Sequence, residues 1–193
     1  MKLRENNEKG WINRIRQGDE RAFERLFKRY FYKLSRFAWR YVKSKAIAEE
    51  LVQEVFADIW DKKKEWNPTS SLKLYLYQSV KHQALDYLKH EQVRGEYDPQ
   101  WMEKREYPTI NFQDTRRQQQ IREAISKEIE ALPPRSKMTY KLHRHDGLTY
   151  EEIAEVMDVS VKTVESQMTR TLKRLRKRLS YLLPFLIIAS LTV

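Results

Sequence analysis

Between Asp19 and Trp60 the apolar residues return at intervals of three and four, and no glycine or proline interrupts them. That spacing gives helices that each carry one apolar stripe. Such stripes are stable only when packed against one another, so the sequence predicts an all-α fold. The longest stripe is Ala22, Phe23, Leu26, Phe27, Tyr30, Leu34, Phe37, Ala38, Tyr41 and Val42. Asp19 is its N-cap, after a short Trp11, Ile12, Ile15 segment that stops at Gly18. Ser44 caps a second stripe of Ile47, Leu51, Val52, Val55, Phe56, Ile59 and Trp60. A third, from Leu72 to about His90, turns Leu72, Leu76, Ser79, Val80, Ala84, Tyr87 and Leu88 inward. Short connections make these neighbours an N-terminal helical bundle, bounded at 8–92.

Over residues 93–115 the period lapses. EYDPQWMEKREYPTINFQDT holds two prolines and mixed charge, the mark of a linker. Periodicity resumes near Arg116 with Ile121, Ala124, Ile125, Ile129 and Leu132, and stops at Pro133-Pro134. A helix over about Arg135–His145 ends at Gly147. Thr149 then opens a capping box with Glu152, and Ile153, Ala154 and Met157 point inward. Asp158-Val159-Ser160 makes a turn, and Ser160 caps a final helix striped by Val161, Val164, Met168, Leu172, Leu175 and Leu179. A short helix, a three-residue turn and a capped basic helix fit a helix-turn-helix within a C-terminal four-helix domain, 116–180. Ala154 is small enough for the crossing, and Asp158 tolerates the left-handed conformation that the turn demands.

Composition narrows the function. The 193 residues contain no Cys, which excludes a disulfide scaffold, a thiolate zinc site and a Cys nucleophile, and fits a reducing cytoplasm. The amino end, MKLRENNEKG, is too polar for a secretory signal. The net charge is +11. It is divided: residues 1–90 carry 20 basic and 12 acidic side chains, 91–133 carry 7 and 9, and 134–180 carry 11 and 6. Two basic blocks on a connector suggest two polyanion-binding modules, beside the plainer reading of a Lys-rich solvated surface.

Two patterns in the first block exceed what packing requires. From Ala46 to Asp61 there is no basic residue, while Glu49, Glu50, Glu54, Asp58 and Asp61 are acidic. In so basic a chain that face suits a basic protein surface, unless it is an ordinary solvated helix side. Next, Lys62, Lys63, Lys64, Trp66, Lys73, Tyr75, Tyr77, Lys81, His82 and Lys89 interleave cations with aromatics, which is how single-stranded nucleic acid is held. Tyr75 and Tyr77 are two apart on a helix, so at least one is expected outside the core. In the last helix, Lys162, Thr163, Glu165, Ser166 and Gln167 suit base edges, and Arg170, Lys173, Arg174 and Lys177 suit phosphates.

The segments AEELVQEVFADIW (48–60), LKLYLYQSVKHQALDYLK (72–89) and LPPRSKMTYKLHRHDGLTYEEIAEVMDVSVKTVESQMTRTLKRLR (132–176), in this order, resemble a bacterial RNA polymerase sigma factor of the small extracytoplasmic-function (ECF) group. The resemblance runs from about Asp19 to Leu179. It implies that the helix with the LVQEVF motif docks on core RNA polymerase through Glu50, Gln53, Glu54, Phe56 and Trp60. It implies capture of a melted minus-ten element, with a flipped base, by Asn67, Thr69, Ser70, Ser71, Lys73, Tyr75, Gln78, Lys81 and His82. It assigns the minus-thirty-five duplex to Lys162, Thr163, Glu165, Ser166, Gln167, Arg170 and Arg174; many relatives carry Arg where this chain has Glu165. The implied partners are core RNA polymerase, promoter DNA and an anti-sigma factor, with no small-molecule substrate, no cofactor and no metal.

Two other classes compete. A stand-alone helix-turn-helix regulator, acting without polymerase, explains the second block and leaves the acidic helix and the cation-aromatic stretch of the first without a role. An enzyme such as a nuclease lacks its groups: His82, His90, His143 and His145 have no ligand spacing beyond His143-x-His145, which face apart on a helix. The expectation is therefore a cytoplasmic protein that is not an enzyme. The uncharged stretch Leu179–Val193 has 15 residues with a proline inside, against ~20 needed to span a bilayer. It reads as an apolar tail (181–193) that packs on the second block or docks a partner, rather than as an integral membrane segment.

Overall fold

The computed structural model describes residues 10–94 and 116–180, and all of the secondary structure in them is helical. The chain divides into two compact units, Met1–Pro108 and Thr109–Val193. The first holds α1 (10–16), α2 (Glu20–Val42), α3 (Lys45–Asp61) and α4 (Leu72–Arg94); the second holds α5 (Arg116–Glu130), α6 (Pro134–Arg144), α7 (Tyr150–Met157) and α8 (Val161–Arg178). The expected linker, from residue 95 onward, and the expected apolar tail lie outside the described residues.

The helix starts are set by side chains that take up orphan backbone donors. The Asp19 carboxylate accepts from the Ala22 N–H at 3.0 Å, and the Ser44 hydroxyl accepts from that of Ile47. At the junction before α2, Gly18 adopts φ +84°, a conformation that costs glycine nothing. Within the first unit α2, α3 and α4 all pack on one another. Leu26, Leu34 and Phe37 of α2 meet Val52, Val55 and Phe56 of α3 and Leu76, Tyr77 and Val80 of α4 in a core from which water is almost wholly excluded. An edge-on contact between Phe37 and Tyr77, centroids 5.0 Å apart, joins α2 to α4.

Departures from the periodic reading occur in α7, where Val156 is buried and Met157 only half-buried, and twice in α4. It runs through Arg94 rather than stopping near His90, because no helix breaker precedes Gly95. Its first half is buried on more than one side: Leu74 and Tyr77 join Leu72, Leu76 and Val80 in the core, so a single inward stripe describes it poorly.

The second unit is organised by α8, which packs on α5, α6 and α7. Leu142, Leu148, Ile153, Val156, Val164 and Met168 form its centre. A second cluster of Ile129, Leu132 and Leu175, flanked by Ile125, Tyr140 and Leu179, holds α5 to α8. Both halves of the expected capping box are made: Glu152 N–H donates to the Thr149 hydroxyl at 3.2 Å, and Thr149 N–H to the Glu152 carboxylate at 3.0 Å. Asp158 ends α7 in the left-handed region, φ 55°, ψ 56°. Asp158→Val puts a β-branched side chain there and is expected to destabilise this unit by about 1–2 kcal/mol, while Asp158→Gly is expected to be tolerated; thermal unfolding of the two variants checks this.

Glu130, at the end of α5, is clamped by Lys137 at 3.0 Å and by Lys141 of α6. Partial burial pushes its carboxyl up, but the bonds and charges of Lys141 and Lys137 outweigh this and hold it below its ordinary 4.5. A depressed carboxylate stabilises the fold above its unfolded value, and that stability disappears as pH falls through the lowered folded value. The second unit is therefore expected to lose stability in acid below about pH 4.5, and Glu130→Gln to flatten that loss, as followed by melting against pH.

Candidate nucleic-acid interface

On α3, the packing that buries Leu51, Val52, Val55, Phe56 and Ile59 turns Glu50, Gln53, Glu54, Asp58 and Asp61 to solvent. Glu49, half-buried, pairs with Lys45 at 3.7 Å, and Asp58 pairs with Lys62 at 3.8 Å; at the surface such pairs contribute little. Glu50, Gln53 and Glu54 are the central exposed residues of this face. Phe56, assigned to it by resemblance, is corrected by the structure: only 1% of it is exposed, and its ring lies edge-on to Phe23 and Phe27 at 6.0 and 5.0 Å. The period of α3 forces this, because Phe56 follows Val52 by four and faces the same way. Trp60 is half-buried at the margin of the face, with Phe23 4.8 Å from its ring and the Lys63 ammonium 4.4 Å above it.

The connection from α3 to α4 is pinned at both ends. Trp66, expected among the aromatics open to bases, is instead 6% exposed and packs against Tyr75 with ring centroids 6.0 Å apart. At the far end the Ser71 hydroxyl accepts from the Leu74 N–H at 3.1 Å, so this side chain caps α4. The Arg16 guanidinium of α1 donates to the Lys64 carbonyl at 3.4 Å, a support that no sequence pattern announced. Between the anchors, Asn67 and Thr69 are exposed and Ser70 is half-buried. Lys73, Tyr75, Gln78 and Lys81 are half-buried on α4, and His82 is exposed. Tyr75, Gln78 and His82 follow at spacings of three and four, so they continue one side of the helix beyond the loop. Of the two tyrosines, Tyr77 is the one committed to the core.

On α8 the Ser160 hydroxyl accepts from the Thr163 N–H at 3.1 Å and lies 2.8 Å from the Thr163 hydroxyl, which ties Thr163 to the cap. Lys162, Glu165, Ser166, Arg170 and Arg174 are exposed. Arg174 also donates to the Ala131 carbonyl at 3.1 Å, bracing α8 against the end of α5. Gln167 is half-buried, and its amide oxygen lies 2.6 Å from the hydroxyl of Thr139 on α6. Thr139 is completely buried, and periodicity gave no sign of it. The exposed residues and the positive helix end present a cationic, hydrogen-bonding surface of the kind that enters a major groove. Among the described residues no group of His, Asp and Glu could hold a metal ion, and no helix is long and apolar enough to cross a membrane.

Residues 26–94 match the family profile described as Sigma-70 region 2, and residues 122–175 match Sigma-70, region 4. The chain is 29% identical over 167 residues to the ECF RNA polymerase sigma-E factor of Escherichia coli (strain K12), covering 82% of this chain and 87% of that protein. It is 28% identical over 180 residues to the ECF RNA polymerase sigma-E factor of Haemophilus influenzae, covering 89% and 95%. Among solved structures, the sigma factor RpoE in complex with the anti-sigma factor NepR from Bartonella quintana shares the fold at a TM-score of 0.57 and 20% identity, over 82% of this chain and 96% of that one. CnrH in complex with the cytosolic domain of CnrY does so at 0.53 and 18%, over 91% and 98%. With region 2 and region 4 in order along one chain, and ECF relatives matched over most of its length, the protein belongs to the sigma-70 family of RNA polymerase sigma factors, in the ECF group.

Proposed function

We propose that this chain is a transcription initiation factor that binds core RNA polymerase and directs it to promoters. Its first module, 8–92, docks on polymerase through Glu50, Gln53 and Glu54 with Trp60 at the edge. The same module takes the minus-ten element as a single strand along Asn67, Thr69 and Ser70 and the Tyr75, Gln78, His82 side of α4. The second module, 116–180, places α8 on the minus-thirty-five duplex, and 93–115 joins the two. The reading carries no chemical step by the chain itself, no small-molecule substrate and no cofactor, and it places the protein in the cytoplasm. The observation that carries it is the pairing of an exposed acidic helix face in one unit with a capped helix-turn-helix, open along its basic helix, in the other.

Two linked modules gain affinity because binding of one raises the effective concentration of the other. Neither module needs to bind tightly alone. A stand-alone regulator gives no role to the α3 face or to the loop between α3 and α4. Because the RpoE structure was solved with an anti-sigma factor, an anti-sigma partner is part of the proposal as well. Run-off transcription with core polymerase, with start sites sequenced, tests the function. The expected result is a set of starts sharing two upstream elements, with promoter binding that weakens steeply with salt. Tight duplex binding by the free chain, with no promoter-directed transcript from any core enzyme, would overturn it.

A further inference from the structure

Gln167 stands on α8 between the exposed residues Ser166 and Arg170, yet its amide is not free. The hydroxyl of Thr139, on α6, lies 2.6 Å from the Gln167 Oε1. That hydroxyl is also 3.0 Å from the Arg135 carbonyl and 3.3 Å from the Met157 sulfur. It has one proton, and the Gln167 oxygen is the nearest of the three acceptors. Thr139 is 0% exposed, so water does not compete for this contact.

Glutamine reads adenine by using both ends of its amide at once, the oxygen accepting from N6 and the nitrogen donating to N7. Here one end of the amide is held inside the protein, and this is true in either orientation of the amide. We infer that Thr139, which reaches no DNA itself, sets the base preference of α8 by restricting Gln167 to a single outward-facing hydrogen-bonding group. With the oxygen bound to Thr139, the outward group is the amide NH2. It finds an acceptor on the major-groove edge of guanine, adenine or thymine and none on cytosine, which offers a donor there. Thr139 is thus a positioning residue that broadens recognition at one base pair. The inference rests on the reading of α8 as the helix that contacts the minus-thirty-five duplex.

The test uses the full chain with core polymerase on a promoter library randomised across the minus-thirty-five element, comparing wild type, Thr139→Val, Thr139→Ser and Gln167→Ala, with melting curves for each. Gln167→Ala is expected to alter preference at one position and thereby locate the contact. Thr139→Val, which removes the hydroxyl at nearly constant shape, is expected to shift that position alone toward adenine, on the order of tenfold. Thr139→Ser keeps the hydroxyl and is expected to keep the wild-type profile. A merely structural role for Thr139 would lower all promoters alike, with a lower melting temperature and no change of base preference; that result would overturn the inference. So would a wild-type profile in Thr139→Val when Gln167→Ala still alters one position. If Gln167→Ala and Arg170→Ala both leave the element read as in wild type, with promoter use unchanged, the reading of α8 fails together with the inference.

Discussion

Phe56→Ala is expected to destabilise the first unit by about 3–5 kcal/mol, the cost of removing a large ring from a closed core. The ring is 1% exposed and sits edge-on to Phe23 and Phe27, so its loss removes both burial and two aromatic contacts. Since small domains are stable by only ~5–15 kcal/mol, this removes a substantial fraction of the unit's stability. Thermal or denaturant unfolding checks the number, and Phe56→Leu, which refills much of the space, should recover most of it. Polymerase docking should fall in Phe56→Ala only as far as the fold does, and return in Phe56→Leu. A docking defect in Phe56→Leu with normal stability would mean that the ring meets the partner after all.

Most of the helices were legible because α2, α3 and α8 each bury a single stripe, and their caps are side chains with one evident partner. Asp19, Ser44, Thr149 and Ser160 all cap as their spacing implies. The reading failed where a residue's environment depends on elements remote in sequence. Leu74 and Tyr77 are buried because α4 is covered on several sides, which a one-stripe pattern cannot express. Ser35 and Thr139 are buried although polar, since each hydroxyl has a partner inside the fold: for Ser35 a carbonyl of its own helix one turn back, at 2.8 Å, and for Thr139 the Gln167 amide oxygen of another helix, at 2.6 Å. Hydropathy scores such residues as outward-facing.

The candidate site shows the same division. Which helix faces are exposed followed from the period, and Glu50, Gln53, Glu54, Glu165, Ser166 and Arg170 are all open to solvent. What individual side chains are already doing did not follow. Ser71 caps α4, Trp66 anchors its loop, and Gln167 is held by Thr139. Each of these depends on a partner that residue type alone does not reveal. Resemblance places a motif; it does not separate the residues that touch a partner from those that hold the motif in shape.

Gln53→Ala combined with Glu54→Ala makes that separation on one helix. Both side chains are exposed on α3, so their truncation opens no cavity, and alanine favours the helix. Stability should stay within about 0.5 kcal/mol of wild type. If this face meets a basic surface of core polymerase, truncation leaves the partner's cations buried without their acceptors, a loss worth about 2–5 kcal/mol for a closely paired charge. Affinity for core polymerase is then expected to fall on the order of a hundredfold or more, with promoter-directed transcription lost in step. Co-purification and titration of fluorescent core enzyme read the loss, and an unchanged melting curve shows that it is not unfolding. Glu54→Lys should be worse than the double truncation, because it adds repulsion where attraction is removed, and added salt should narrow the gap between them. If both variants bound core polymerase as wild type does, the acidic face would be a solvated helix side and docking would have to be sought on another face of the first unit.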